Sequence, residues 1–513
     1  MNESQYRRIC IVCDYILNAK DSTIERVAIP WLHIIREHPV FLKNYTDLLY
    51  SKRNYLLFRN YCFRIARNIV SFVRIAVRCI SRLNGKFWIE GNIRPETVDV
   101  LFVSHLVNES HAGQSDDFYF GALPDKFAGQ GRSSLIALVN YTQQKGEVLV
   151  KRWDGCNVPR IIFTPVLGFK NEAIHFWRLF KESVSLGEFV KRESDPFIIR
   201  VLRRASHEAF SSGAMSSLRV GSQVAQLVSA LKPKAVIVTY EGHAWERIVF
   251  ESVRQVCPNV KCIGYQHAAL FRLQHAAGRL LQKSYNPDSI MTAGRVSEKQ
   301  LKSRLSLSGI PIFAIGSNRC LKSQARRQRC RLDEGQDETE DELHQVCLVL
   351  PEGIADECYL LFDFSLACAK ALPHVTFLWR LHPLMSFEFL AVNNEKLRDL
   401  PPNIIRSKAT IEADIVSSHW ALYRGTTAIL PAVVAGLRPI YYELKGEMTV
   451  DPLFELEVFR KKVGCISEFE RVISSDIRQR FCFDQAELET ARSYCEDFFL
   501  PLKPEVLGDF IDR

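Results

Sequence analysis

An arginine and a histidine leaving a buried strand together can donate hydrogen bonds to the oxygens of a phosphate. Phe377-Leu-Trp-Arg-Leu-His-Pro383 has that form, an apolar run opening into Arg380, His382 and Pro383, where the proline stops the strand and fixes the backbone. The competing reading pairs Arg380 with a neighbouring carboxylate and leaves His382 to cap a turn. A second anion site is spelled by Arg424-Gly-Thr-Thr427, since Gly425, Thr426 and Thr427 stand where a helix is expected to begin and free N–H groups, hydroxyls and the helix dipole converge. Ordinary N-capping by threonine is the alternative there. Glu352 and Gly353 occupy a further strand-to-helix turn, whose glycine lets the backbone approach a ligand. Transfer to a hydroxyl also needs a base, and Thr239-Tyr-Glu-Gly-His243 offers Glu241 first and His243 second, with helix capping as the competing role for both. His267 and His105 end two other strands and are expected to contact acceptor or donor, if they are not structural histidines bonded to backbone. Phe118-Tyr-Phe120 could hold a sugar ring or belong to the core. Cys10 and Cys13 have CxxC spacing, but no second pair or histidine pair completes a zinc site, so no metal is expected.

All these groups must be positioned by strands. Val98-Asp-Val-Leu-Phe-Val-Ser104 is a short β-branched and apolar run ending in polar residues, the pattern of a buried strand of a parallel sheet. The pattern returns at 234–240, 260–265, 288–292 and 311–315, with a helix over 244–256, which makes βαβ units. A basic block followed by an acidic one, 320–345, predicts a solvated linker. A second series follows: strands at 346–350, 375–381, 403–406, 413–416 and 438–442, helices near 356–371 and 425–435, and a mainly helical stretch over 475–513. The expected class is therefore α/β, with two Rossmann-type doubly wound domains facing a cleft. An N-terminal mainly helical segment (1–97) precedes a first Rossmann-like domain (98–319), and a second one with C-terminal helices spans 346–513.

At 513 residues, 47% hydrophobic and 24% charged, the chain can bury two sizeable cores and is not a disordered polymer. A formal charge of +9 suits anionic ligands or an anionic membrane surface; Lys and Arg are dispersed and no nucleic-acid motif is present, so no nucleic-acid partner is expected. Fifteen cysteines at scattered spacings fit a reducing cytoplasm better than a disulfide framework. The opening residues are too polar for a cleaved signal sequence. Residues 54–83 have helical apolar spacing but are interrupted by Arg59, Arg64, Arg67, Arg74, Arg78 and Arg82. That stretch cannot cross a bilayer; it either lies on an anionic membrane surface or packs on its own protein with a solvated basic face.

The order of a glycine turn with Glu352, a strand into His382-Pro383, then a Ser/Thr turn into a helix resembles the C-terminal half of bacterial GT-B glycosyltransferases. The His-Pro pair and the Ser/Thr turn are similar to motifs of bacterial sialyltransferases, polysialyltransferases and capsule Kdo transferases. Tyr240-Glu241-Gly242 is similar to their acidic-acidic-Gly motif, with Tyr240 where an acidic residue is usual. The chain from about 98 also looks like surface carbohydrate biosynthesis proteins. The resemblance implies a sialic-acid-like nonulosonate or Kdo moved from a CMP-sugar onto a surface polysaccharide or glycolipid, without metal or cofactor, the nucleotide-sugar being a substrate. It implies that 98–319 is the acceptor domain and 346–513 the nucleotide-sugar domain, that His382 and Pro383 contact the cytidine monophosphate and that Glu241 is the base. The rival readings are a CDP-polyol phosphotransferase of the same architecture and a non-catalytic scaffold of a polysaccharide assembly complex.

Overall fold

The computed structural model describes residues 1–49, 66, 68, 70–79, 87–90, 96–153, 156–321, 345–383 and 385–512. Of the stretch read as a basic amphipathic helix (54–83) only 66, 68 and 70–79 are described, all helical; of the charged linker only 320, 321 and 345 are. No helix among the described residues is long and apolar enough to cross a membrane.

Two sheets organise the chain. The first contains β1 (Trp88–Glu90), β2 (Val100–Leu106), β3 (Ser134–Asn140), β4 (Arg160–Phe163), β5 (Ala235–Thr239), β6 (Lys261–Gln266), β7 (Ser289–Thr292) and β8 (Ile312–Ala314). Their order is β1-β4-β3-β2-β5-β6-β7-β8, parallel throughout except for β1, which runs antiparallel to β4. The second sheet contains β9 (Val346–Leu350), β10 (Thr376–Trp379), β11 (Ile404–Arg406), β12 (Trp420–Tyr423), β13 (Arg438–Tyr442) and β14 (Lys461–Val463), in the order β11-β10-β9-β12-β13-β14, all parallel. The central strands are buried on both faces, as the Ala-Val-Ile-Val-Thr run of β5 shows, which is why they read as continuous apolar runs rather than alternating ones. The α/β class with two doubly wound units is the observed architecture.

Two elements differ from expectation. Residues 413–416, expected as a strand, lie inside the helix Ile411–Ser417, where Thr410 accepts a hydrogen bond from the Ala413 N–H and Asp414 is buried against Arg380. The helix expected over 425–435 is only Ile429–Val434, with Ala428 at its N-cap. β1, β3, β4, β12 and β14 are strands beyond those expected from the sequence.

The described N-terminal residues form one core with the helices Phe169–Arg192, Pro196–Glu208 and Ser212–Leu231. The first helix, Glu3–Leu17, is started by a capping box between Asn2 and Gln5. Cys10 and Cys13 face inward from it, and burial pushes the Cys10 thiol up to about 12, so these sulfurs are core atoms rather than metal-binding thiolates. At the other end of the chain, residues beyond Glu496 return to the first unit. The Val296 N–H donates to the Asp497 carbonyl at 3.2 Å, Ser317 N–H to Leu500 at 2.8 Å, and Lys503 N–H to Ile315 at 2.8 Å.

Candidate active site

In an open parallel sheet, ligands bind beyond the carboxyl ends of the strands where the winding reverses. In the first sheet the chain winds β2, β3, β4 to one side and then resumes at β5 on the other, so the reversal lies between β2 and β5. In the second it winds β9, β10, β11 and resumes at β12, placing the reversal between β9 and β12. His105 belongs to the end of β2 and Glu241 follows β5; Glu352 follows β9 and Gly425 follows β12. Both reversal points thus carry residues singled out in the sequence.

At the first point the chain makes a tight turn, Tyr240-Glu-Gly-His243. The Glu246 carboxylate, in the first turn of the helix Ala244–Val256, accepts hydrogen bonds from the backbone N–H groups of Glu241, Gly242 and His243 at 2.7–3.0 Å. Burial nevertheless pushes its pKa up to about 7. The turn so fixed presents Glu241, whose carboxylate is nearly sealed from solvent and takes both oxygens to Arg36 Nη2 at 2.9 and 3.0 Å. His243 Nε2 lies 3.4 Å from the same carboxylate. Burial would raise the pKa of Glu241, but Arg36, His243 and His267 together hold it well below the usual carboxylate range. Burial also opposes charge on His243, yet Glu241 and Glu246 raise it above its ordinary value. His105 and His267 are the opposite case, pushed down by burial to about 3 and about 4, so both are neutral imidazoles.

Rings close around them. His105 lies 4.6 Å from Trp245 and 5.1 Å from Tyr141, and Tyr119 stands 4.7 Å from His267, centroid to centroid. The aromatic run is therefore divided: Tyr119 faces the site, Phe120 is core against Phe102 and Tyr265, and Phe118 stacks on His111.

At the second point three loops converge. A Cβ on Gly353 would lie 2.6 Å from His382 Nδ1, and one on Gly425 would overlap a Glu352 carboxylate oxygen, so both glycines are required where these side chains settle. His382 and Glu352 thus sit together over the glycine turns. Pro383 is exposed beyond them, and the His382 carbonyl accepts from the Met385 N–H in a turn. The two arginines expected at the ligand are otherwise engaged. Arg424 is buried, its guanidinium donating to Glu357 at 2.5 Å, to the Tyr442 carbonyl at 3.1 Å and to Glu447 at 3.0 Å. It braces the loop from beneath rather than reaching a ligand. Arg380 donates through one nitrogen to Asp414 at 2.6 Å and to the Ala409 carbonyl at 2.8 Å, the carboxylate-paired reading of that residue. Thr426 and Thr427 precede a helix of only six residues; the Thr426 hydroxyl accepts from the Ala428 N–H at 3.3 Å, so this turn is capped from within and the helix dipole behind it is small.

The N-terminal segment joins the two points, which the sequence reading left unassigned. Arg36 reaches Glu241 of the first unit. Two residues on, His38 Nε2 lies 3.4 Å from Glu352 and 3.7 Å from Glu357 of the second. Lys43 extends the bridge to Asp356. Two residues span only about 7 Å of backbone, so the carboxyl ends of the two sheets face one another across residues 36–38. Just before them Ile34, a buried β-branched residue, is held at φ 46°, a conformation that costs about 1–3 kcal/mol and marks a segment set by its surroundings. One sequence signal was available: Arg36-Glu-His-Pro39 repeats the Arg-x-His-Pro spacing of Arg380-Leu-His-Pro383.

His38, Glu352 and Glu357 bring one ligand atom each within 4.8 Å of one another, the donor set of a divalent cation. The histidine tautomer argues against that use. Nδ1 of His38 accepts from the Val40 N–H at 3.3 Å, which puts the proton on Nε2; Nε2 and the nearer Glu352 oxygen, 3.4 Å apart, make no hydrogen bond, and Arg424 already neutralises Glu357. EDTA treatment is accordingly expected to leave nucleotide binding and turnover unchanged within twofold. Loss of either, restored by Mn²⁺ or Zn²⁺, would make this triad a cation site instead.

No family model and no curated protein matches the chain. Among solved structures it is similar to the glycotransferase of kitacinnamycin, at 10% identity over 82% of this chain and 99% of that one with a TM-score of 0.46. A glycosyltransferase from Rickettsia africae has 12% identity over 82% and 98%, TM-score 0.44. A UDP-GlcNAc 2-epimerase from Neisseria meningitidis, bound to UDP-GlcNAc, has 12% identity over 81% and 100%, TM-score 0.43. At such identity the side chains of the site have to carry the function.

Proposed function

We propose that this protein is a nucleotide-sugar-dependent glycosyltransferase, with the donor nucleotide at the second reversal point and the acceptor hydroxyl at the first. The observation that carries this reading is the pair of facing loop clusters: Glu352, Gly353, His382 and Gly425 on one side, and on the other Glu241 beside His243, with the neutral His105 and His267 and aromatic rings around it. Such rings suit the apolar faces of a sugar. The acceptor oxygen would attack the anomeric carbon as its bond to the donor phosphate breaks, the electron pair leaving with the nucleotide and the acceptor proton passing to Glu241. Arg36 now covers that carboxylate, and the entering hydroxyl would have to displace it. Enclosure between the two units would limit donor hydrolysis. The His-Pro turn favours a CMP-sugar of the sialic-acid or Kdo type, with a surface polysaccharide or glycolipid as acceptor in the cytoplasm. A scaffold without turnover is the second reading, favoured by the same Arg36 contact.

Thermal shift and calorimetry with CMP, CDP, UDP and GDP test the donor. CMP is expected to stabilise the protein selectively, by about 2.7 kcal/mol at a hundredfold excess over Kd, and His382→Ala to remove most of that gain. Selectivity for another nucleotide would redirect the donor, and no binding by any of the four would leave the scaffold.

A further inference from the structure

The helix Phe169–Arg192 is amphipathic in the wrong sense. Its inward face buries Glu172, His175 and Glu182 beside Leu179 and Leu186, with Glu172 paired to Arg219 at 2.7 Å and Glu182 to Arg26 at 2.6 Å. Its outward face carries Phe169, Ile174, Trp177, Phe180 and Val184, with Phe169 70% and Trp177 55% exposed. A surface helix ordinarily shows the reverse arrangement. The helical residues 70–79 pack beside it through Phe72, 4.8 Å from Phe176, and add Val73 and Val77, each more than half exposed. An apolar face extended over two helices marks a contact surface rather than scattered exposure.

Charge identifies the occupant. Lys170 and Lys181 flank the rings, the latter with its Nζ 5.5 Å from the Trp177 ring centre, and Arg74 stands among the valines. Within 70–79 there is no carboxylate, and between Phe169 and Lys181 the one carboxylate, Glu172, is turned inward. Beyond Val184 the exposed Glu188 is paired with Lys191 at 2.6 Å, so its charge is offset. Exposed aromatic rings bordered by Lys and Arg match the interface of a bilayer bearing anionic lipid headgroups. A second copy of the chain is disfavoured, because a two-fold contact would set these basic borders against each other. We propose that this two-helix face lies on an anionic membrane surface, its rings at headgroup level and Lys170, Lys181 and Arg74 on the lipid charges. The proposal stands on the outer face alone and does not depend on the chemistry assigned to the cleft.

Co-sedimentation of the full chain with phosphatidylcholine vesicles, with and without 25 mol% phosphatidylglycerol, tests it. At least tenfold tighter binding to the anionic vesicles is expected, falling at least tenfold in Trp177→Ser/Phe180→Ser with the fold retained by circular dichroism, Phe180 being partly covered by Phe210. Lys170→Glu/Lys181→Glu keeps the rings and is expected to lose the preference for anionic lipid. Leu305→Ser, which removes the most exposed leucine among the described residues and lies outside both helices, is expected to bind as the parent does. Equal binding to both vesicle types, or full binding by the two double variants, overturns the proposal. So does a parent dimer that Trp177→Ser/Phe180→Ser converts to monomer without any vesicle binding.

Discussion

Glu241→Gln is expected to lower sugar transfer by roughly a hundred- to ten-thousandfold, the range for removing a positioned proton acceptor, while nucleotide affinity stays within twofold. The amide keeps the size and hydrogen-bonding reach of the side chain, and the turn beneath it is held by Glu246, not by Glu241 itself. The loss therefore isolates the charge. Arg36 supplies a second readout. With Arg36 in place Glu241 is ionised far below neutral pH and is a weak base; without it, burial is the dominant influence on the carboxylate and drives its pKa upward. In Arg36→Gln the acidic limb of kcat/KM is accordingly expected to move to higher pH, since the base must lose its proton to act. A Glu241→Gln protein that transfers sugar at the parent rate would remove Glu241 from the chemistry. An acidic limb that stays in place in Arg36→Gln would show that another group reports it.

The parts of this arrangement that the sequence exposes are those written in consecutive residues. Apolar runs such as Val100-Leu-Phe-Val103 and Ala235-Val-Ile-Val238 are legible because a parallel strand is buried on both faces. The turns that follow them carry Glu241, Glu352, His382 and Gly425, so these four members of the candidate site follow from strand ends. What stays hidden depends on partners far along the chain. Arg380 and Arg424 resemble phosphate ligands in sequence, but their carboxylate partners, Asp414 and Glu357, lie 34 and 67 residues away. The segment 411–417 contains Asp-Ile-Val, which suits a strand, and becomes a helix because Thr410 caps it and Asp414 finds Arg380. Arg36 is the extreme case, since its contact with Glu241 spans 205 residues and joins a segment with no strand pattern to the centre of the cleft.

The glycines of the two reversal points separate fold from site, and Gly242→Ala is the substitution expected to damage the fold. Gly242 sits at φ 87°, and a Cβ there would overlap the Ala276 carbonyl group and lie 2.7 Å from the Ala277 nitrogen. All of these are backbone atoms, so no side chain can swing aside. The Ala276 carbonyl also accepts from Arg247 at 3.0 Å, so moving it disturbs a buried guanidinium that bonds Asn286 and the Arg279 carbonyl. Left-handed backbone strain of about 1–3 kcal/mol and overpacking of about 1–3 kcal/mol add to roughly 2–6 kcal/mol. That corresponds to a fall in melting temperature on the order of 10 °C for a unit of this size. Gly353→Ala meets instead the His382 ring and Gly425→Ala mainly the Glu352 carboxylate, side chains that can rotate away, while the Val450 carbonyl, 3.2 Å from the second Cβ, has to give by only a few tenths of an ångström. These two variants are expected to melt within about 2 °C of the parent, a shift of under about 1 kcal/mol, yet to lose most nucleotide binding because the displaced side chains would form the donor site. If all three glycines gave the same thermal loss, the second reversal point would be a structural joint, and the donor would have to be sought elsewhere.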